Sequence, residues 1–572
     1  MPYRAPVEDY RFLFDHVIGL PEVAATDRFA EATPDMATAI LTEAGRLCED
    51  VLAPLQRPGD LHPARLENGV LRTSPGYAEG YRAIAEGGWI AIGANPDHGG
   101  MGLPMLLTTA VNEMMAAACL SLQLAPLMTQ GQIEALEHHA SPEMQALYLP
   151  KLVSGEWSGT MNLTEPQAGS DVGALRSRAE PNGDGTYAIT GQKVYISWGD
   201  NDFTENVCHL VLARLPDGVP GTKGISLFLV PKFIPDENGD PGARNSLKVI
   251  SLEHKMGLHG SPTCVMQYDG ATGWLVGEAH DGMRAMFTMM NNARLGVGGQ
   301  GIGVAEGAYQ HALAYAQDRR QGRTPTGDGT GTIIEHANVR RMLASMRAET
   351  FAARAIALAC AKAIDMQTAT GAAQWGARAA LLTPIAKVCG TETGIAVANT
   401  GIQLHGGMGY IEETGAAQFL RDVRVTAIYE GTNGIQAMDL VGRKLMDGGE
   451  AALTLIEEIE TAAEAARGTL PDLAGPVWQA SESLREATDW MLAQTEMTER
   501  FAGAMPYLRG FARVLGARFH LAAALAEGGD GPRTRLARFY ITRLLPEHAG
   551  HFAHATQGAA DLYALTASDF VA

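Results

Sequence analysis

The sequence predicts a mainly α-helical protein with a central β-domain and an extra helical domain at its C-terminus. Three observations lead there. The chain is 46% hydrophobic yet only 6% aromatic, a balance that suits close-packed helices better than a large β-architecture. Apolar residues recur at three- and four-residue spacing over long stretches, as amphipathic helices require. Midway along the chain that texture gives way to short β-rich runs bounded by Gly, Pro, Asn and Asp, the pattern of strands joined by turns. At 572 residues the chain is too long for one core, and about 100–200 residues per domain implies three or four domains.

Residues 1–155 read as a helical N-terminal domain, punctuated by Gly87-Gly88-Trp89 and Pro96-Asp97-His98-Gly99-Gly100-Met101-Gly102. In residues 156–280 the runs Tyr187-Ala188-Ile189-Thr190, Cys208-His209-Leu210-Val211-Leu212-Ala213 and Ile225-Ser226-Leu227-Phe228-Leu229-Val230 are strands of a small β-domain. Helical spacing returns in residues 281–446. There Val339, Met342, Leu343, Met346, Ala353, Ile356, Cys360 and Ile364 form one stripe of a long helix to be buried in a bundle. Asp447-Gly448-Gly449 then leads into residues 447–572, an Ala-rich helical tail expected to be a separate unit. Its stripe is Val477, Ala480, Leu484, Ala487 and Met491, and Gly528-Gly529-Asp530-Gly531-Pro532 breaks it before a last helical pair.

The formal net charge of −20 repels phosphate backbones and argues against nucleic-acid binding. An anionic ligand therefore needs a local basic patch. Six scattered cysteines without a C-x-x-C pair indicate neither a zinc site nor a disulfide framework, and read as small buried hydrophobes in a reducing compartment. No metal is expected. The N-terminus is too polar for a signal peptide, and no run approaches the ~20 apolar residues that span a bilayer, so a soluble cytoplasmic protein without a membrane span is expected.

Chemistry is concentrated in a few segments. Ile428-Tyr429-Glu430-Gly431-Thr432-Asn433-Gly434-Ile435-Gln436 places one carboxylate at a turn. Held against Ile428 and Tyr429, Glu430 would resist ionisation, its pKa would rise and it would gain power as a general base; facing water, it would be an ordinary turn glutamate. Met161-Asn162-Leu163-Thr164-Glu165-Pro166-Gln167-Ala168-Gly169-Ser170-Asp171-Val172 joins a strand end to a tight turn with short hydroxyl side chains. Such donors suit a planar ring with carbonyl and imide edges, and a surface loop with a helix cap is the alternative.

In Gly191-Gln192-Lys193-Val194-Tyr195-Ile196-Ser197, strand alternation puts an aromatic ring and a hydroxyl, Tyr195 and Ser197, on one face. Full positive charge is offered by Arg294, within Met290-Asn291-Asn292-Ala293-Arg294-Leu295-Gly296, and by Arg319, Arg320 and Arg323. Guanidinium forks suit diphosphates, and a solvated basic helix end is the alternative for the cluster. The glycines of Gln403-Leu404-His405-Gly406-Gly407-Met408-Gly409-Tyr410 let backbone approach a ligand closely.

In this order, these segments resemble the signatures of the acyl-CoA dehydrogenases: T-E-P-x-A-G-S-D from Thr164, K-x-W-I-T/S from Lys193, K-M-G at Lys255-Met256-Gly257, Q-x-x-G-G-x-G from Gln403 and Y-E-G-T at Tyr429. The resemblance implies that family's fold, a helical N-domain, a small β-barrel-like domain and a helical bundle. It also implies FAD-dependent α,β-dehydrogenation of an acyl-CoA thioester to trans-2-enoyl-CoA, with electrons passing on to an electron-transfer flavoprotein. Glu430 would take the α-proton while the β-hydride leaves to FAD, and the family stabilises the thioester oxygen with the base's own backbone N–H and a ribityl hydroxyl.

By the same resemblance Met161, Leu163, Thr164, Ser170, Tyr195, Ser197 and Thr432 contact the cofactor, while Arg319, Gln403, Gly406 and Gly407 reach that of a neighbouring subunit. Ser170, Asn291, Arg294, Tyr429 and Gly431 are implied along the substrate. Met161 and Tyr429 would shape the pocket or simply pack. The extra domain, Met1 to Val17 and Pro150 to Phe233 resemble the subgroup that acts on 3-methylmercaptopropionyl-CoA, and relatives with such an extension tend to be homodimers. General short-to-long-chain fatty acyl-CoA dehydrogenation, an acyl-CoA oxidase and a non-catalytic scaffold of the same fold stand as alternatives.

The chain departs from the family pattern at five places. Tyr195 replaces Trp, His259 stands where an arginine is common, Gln321-Gly322-Arg323 replaces Thr-Phe-Gly, and Gly434 replaces a glutamine. Ala293 occupies the position from which some relatives supply their base, so the chemistry falls to Glu430.

Three patterns point elsewhere and fail. Gly296-Val297-Gly298-Gly299-Gln300-Gly301 fits G-x-G-x-x-G but follows a helical stretch and not a strand, so no dinucleotide-binding βαβ unit forms. His405-Gly406-Gly407 lacks a G-x-S-x-G partner. His548, His551 and His554 sit three apart on one helix, where the outer two diverge by ~240° and cannot face one metal together.

Overall fold

The computed structural model describes residues 3–325 and 331–571. Met1 and Pro2 lie outside the described residues. The glycines of the false dinucleotide motif fall in the middle of a helix, Gly282–Asp318, and have a packing role. A Cβ on Gly301 would lie 2.3 Å from the Gly390 carbonyl oxygen, and one on Gly390 would lie 2.3 Å from the Gly298 carbonyl oxygen. The Gly282–Asp318 and Ala373–His405 helices therefore cross in backbone contact. That crossing brings Arg294 of one and Lys387 of the other to the same region.

The Ala337–Thr370 helix completes the central layer, with Met342, Leu343, Met346, Ala353, Ile356 and Cys360 of the predicted stripe buried. Arg354 on this helix is buried between two carboxylates, with Nη2 2.6 Å from Glu113 and 2.8 Å from Glu306. Three helices are tied at one point, since Glu113 and Glu306 belong to Met105–His139 and Gly282–Asp318.

The Met105–His139 helix corrects one expectation, because by length and composition it is apolar enough to cross a membrane. It does not run straight. Cys119 has φ −156° and ψ 86°, and Asn112 Nδ2 donates to Gln130 Oε1 at 2.8 Å, although at 1.5 Å per residue these residues would sit ~27 Å apart along an unbroken helix. The two halves fold back on each other and lie buried in protein.

The predicted β-runs lie in the strands Tyr187–Ser197, Asn206–Arg214 and Ile225–Pro231 of a seven-stranded sheet. Ile225–Pro231 pairs with both Asn206–Arg214 and Thr263–Val276, which curls the sheet around its own apolar interior. Trp157–Asn162 runs parallel to Asn206–Arg214 at the edge and carries the chain into Leu163 and Thr164.

In the tail, Val477, Ala480, Leu484, Ala487 and Met491 are buried on the Pro471–Ala493 helix. The Met497–Glu527 helix packs against Ala337–Thr370, with His520 Nε2 3.1 Å from the Ala348 carbonyl oxygen. Set off in sequence by its glycine linker, the tail shares one apolar core with the bundle.

Candidate active site

Glu430 sits in a strained turn between two helical segments. The chain leaves the short helical turn Arg424–Ala427 and bends, with φ 55° at Glu430 and 83° at Gly431, before entering the helix Asn433–Asp439. Glycine adopts this conformation freely, whereas for a glutamate it costs about 1–2 kcal/mol. Such strain persists where the surroundings over-determine the turn. Here the Thr432 hydroxyl caps the helix by accepting from the Ile435 N–H at 3.3 Å, and Gln436 Nε2 donates to the Glu430 carbonyl at 3.4 Å. From the neighbouring helix, the buried Lys387 ammonium donates to the Gly431 carbonyl at 3.0 Å and to Asn433 Oδ1 at 2.9 Å.

The electrostatics favour a poised base over an ordinary surface glutamate. Burial pushes the Glu430 carboxyl up to about 7, against the downward pull of Arg294 and Lys387. Burial pushes Lys387 down to about 8, opposed by Glu430. Arg294, itself buried, is lowered by desolvation and supported by Asp439, 3.8 Å away, and by Glu430. Its Nη1 also donates to Asn291 Oδ1 at 3.3 Å.

The wall of this site differs from expectation. Ile428 is 53% exposed and is not the buried wall the sequence suggests, and Glu430 itself is half-buried. Tyr429 is half-buried and donates its hydroxyl to Gln300, whose Nε2 donates to Gln123 at 3.0 Å. Ala293 is buried and carries no proton acceptor.

A second constellation lies at the edge of the sheet. Lys193, fully buried, donates to the Leu163 carbonyl and to Glu165 Oε1, both at 2.9 Å. Glu165 also accepts from the Arg176 N–H at 2.7 Å and the Ser177 hydroxyl at 2.6 Å. Burial alone would raise this carboxyl, but Lys193 and these donors hold it at about 2. The Thr164 carbonyl accepts from the Val194 N–H at 2.9 Å.

The loop is thereby locked to its neighbouring strand, with Met161, Leu163 and Thr164 half-buried and Ser170 exposed. The strand is not regular beside it. A register shift in its pairing with Thr263–Val276 falls between Lys193 and Ile196, and Tyr195 has φ 61° and is 65% exposed, while Ser197 is half-buried.

The remaining implied contacts lie at the surface. Arg319 is exposed at the end of the Gly282–Asp318 helix, and Gln403, Gly406 and Gly407 are exposed where Ala373–His405 ends. A Cβ on either glycine would meet nothing within 4 Å. His259, in the place of the family arginine, spends Nδ1 on Asp60 at 2.8 Å and Nε2 on the Lys255 carbonyl at 2.9 Å. It is committed within the protein.

Sequence reasoning missed Lys387 and the bracing role of Lys193 and Glu165. A signal for Lys387 existed, a single charge within the apolar run Leu381-Leu382-Thr383-Pro384-Ile385-Ala386-Lys387-Val388, since lysine is rarely buried without a task.

Comparison with known proteins identifies the family. Acyl-CoA dehydrogenase profiles match residues 35–156 (N-terminal domain), 160–271 (middle domain) and 280–446 (C-terminal domain). An acetyl-CoA dehydrogenase C-terminal-like profile matches residues 455–566. The 3-methylmercaptopropionyl-CoA dehydrogenase of Ruegeria pomeroyi is 45% identical, with 93% of each chain covered. Among solved structures, Caenorhabditis elegans ACDH-11 in complex with C11-CoA superposes with a TM-score of 0.78 at 20% identity, covering 95% of this chain and 91% of that one. An acyl-CoA dehydrogenase from Bacillus anthracis complexed with FAD superposes with a TM-score of 0.75 at 19% identity and the same coverage. The chain belongs to the acyl-CoA dehydrogenase family, flavin-dependent oxidoreductases that act on acyl-CoA.

Proposed function

We propose that this enzyme dehydrogenates 3-methylmercaptopropionyl-CoA to its trans-α,β-unsaturated thioester, with Glu430 as the base and FAD as the cofactor. The observation that carries the chemistry is Glu430, held in a strained turn with its carboxyl near 7, while Ala293 leaves the alternative position without an acceptor. A base is most useful when its pKa lies near the working pH. The likeness to the Ruegeria pomeroyi enzyme over 93% of the chain supports the substrate.

The residues present suit FAD. Tyr195 offers an exposed π-face, Thr164, Ser170 and Ser197 offer hydroxyls at the sheet edge, and Arg319 offers an exposed guanidinium for a diphosphate. When bound, FAD supplies the hydride acceptor for the hydrogen and electron pair leaving Cβ. Glu430 takes the Cα proton, Arg294 and Lys387 fix the local charge, and the braced Leu163–Glu165 segment presents rigid backbone to the cofactor. Asn291, Arg294, Tyr429 and Gly431 border the substrate. The electron acceptor is an electron-transfer flavoprotein. The assembly is a homodimer in which Arg319, Gln403, Gly406 and Gly407 approach the cofactor of the partner subunit.

The test is anaerobic flavin bleaching with 3-methylmercaptopropionyl-CoA, butyryl-CoA and palmitoyl-CoA. The first should give the largest bimolecular rate constant. Faster bleaching by palmitoyl-CoA would overturn the substrate assignment, and rapid reoxidation by O2 would favour an oxidase. A protein that takes up no FAD on reconstitution would overturn the enzyme.

A further inference from the structure

Lys387 is a buried ammonium whose contacts do not explain its charge. Its two hydrogen-bond acceptors, the Gly431 carbonyl and Asn433 Oδ1, are neutral. Among the described residues no carboxylate oxygen lies within 4 Å of it, although Glu430 and, more weakly, Glu392 act on it through space, opposed by Arg294. Glu392 is already engaged by Arg509 at 2.8 and 2.9 Å. Arg294 lies 3.8 Å from Asp439, which is also bonded by Arg443. Arg294 and Lys387 both act on Glu430 through space. Arg294 has the stronger pull on Glu430, but Lys387 is the cation bonded to the turn that carries it.

We propose that Lys387 is the positioning residue of the base: its ammonium ties the strained turn through Gly431 and Asn433 and serves, with Arg294, as a through-space counter-ion of the Glu430 carboxylate. This rests on Glu430 being the base. A direct ion pair would hold the carboxylate against leaving its charged form; a cation bonded to the next residue's carbonyl and to Asn433 steadies the turn and leaves the carboxylate free to accept a proton. Asn433 is itself fixed, with Nδ2 donating to the Thr391 hydroxyl at 3.1 Å.

The test measures the bimolecular rate of anaerobic bleaching against pH in FAD-loaded wild type, Lys387→Gln and Lys387→Arg, with FAD content and thermal midpoint recorded for each. Lys387→Gln keeps a donor and loses the charge. Its pH midpoint should move about one unit alkaline, which is about a tenfold loss of rate below the midpoint, with FAD content unchanged. Lys387→Arg keeps the charge and should leave the midpoint in place, even if the rate falls. An unmoved midpoint in Lys387→Gln, or a one-unit shift in Lys387→Arg, would overturn the proposal. If Lys387→Gln fails to load FAD, the Lys387→Arg profile decides. Glu430→Gln separates the two questions, because normal bleaching in that variant would remove the base itself and not merely its positioning.

Discussion

The enzyme buries two lysines beside two glutamates, and the pairs behave oppositely. At the sheet edge Lys193 touches Glu165 at 2.9 Å, and that carboxyl is held at about 2. At the helix crossing Lys387 bonds to Gly431 and Asn433 while acting on Glu430 through space, and burial carries that carboxyl up to about 7. Each lysine is brought by burial to about 8, so the difference lies in the contact and not in the cation. A carboxylate in contact with its cation and with additional donors is a permanent ion, suited to bracing a loop. One whose counter-ion is spent on neighbouring backbone remains free to take a proton. Distance separates structure from chemistry here.

The contrast can be broken most severely at Glu430. Glu430→Gln should retain FAD and lower the bleaching rate by about 100- to 10,000-fold, the usual span for losing a general base. Stopped-flow absorbance reads this directly, and a loss under tenfold would return Glu430 to the surface-turn reading. Next in size is Lys193→Met, which strands a buried carboxylate. It should cost about 3–5 kcal/mol, read as a lower denaturant midpoint, and should weaken FAD retention because the Leu163 carbonyl loses its tether. Glu430→Gln should leave FAD retention unaffected.

Two smaller tests concern the turn and the acid range. Thr432→Ala removes the helix cap and should cost ~1 kcal/mol in chemical denaturation. Glu165 has its carboxyl lowered in the folded state, so its stabilisation is present above the ordinary glutamate value of 4.5 and is lost as pH falls from there toward about 2. Glu430 has the opposite sign. Its folded value is raised, so its contribution to stability is full below 4.5 and is lost as pH rises through about 7. Comparing the stability of Glu165→Gln with wild type should show a difference that is full above pH 4.5 and shrinks as pH falls toward about 2.

Local pattern carried much of the fold. The stripe from Met342 to Cys360 and the runs at 187–190, 208–213 and 225–230 were legible because helices and strands repeat with fixed periods. The Glu430 segment and the Thr164–Asp171 segment were legible because their chemistry is contiguous in the chain. What could not be read depends on partners far away in sequence. The Gly296–Gly301 run becomes a helix crossing only when Gly390 and Gly394 face it. The fold-back at Cys119 appears only when Asn112 meets Gln130. Lys387 acquires its role only by meeting Gly431 and Asn433, more than forty residues on. Ile428 looks like a wall in the sequence but turns outward, and the irregular strand at Tyr195 is set by pairing with Thr263–Val276 and not by its own alternation.

The most direct single measurement is the pH dependence of bimolecular anaerobic bleaching in the wild-type enzyme between pH 5 and 9. A base near 7 should make the rate rise about tenfold per pH unit at the acid end and level off above about pH 7. A rate already flat at pH 5.5 would mean an ordinary, solvated glutamate and would contradict Glu430 as a base poised by burial.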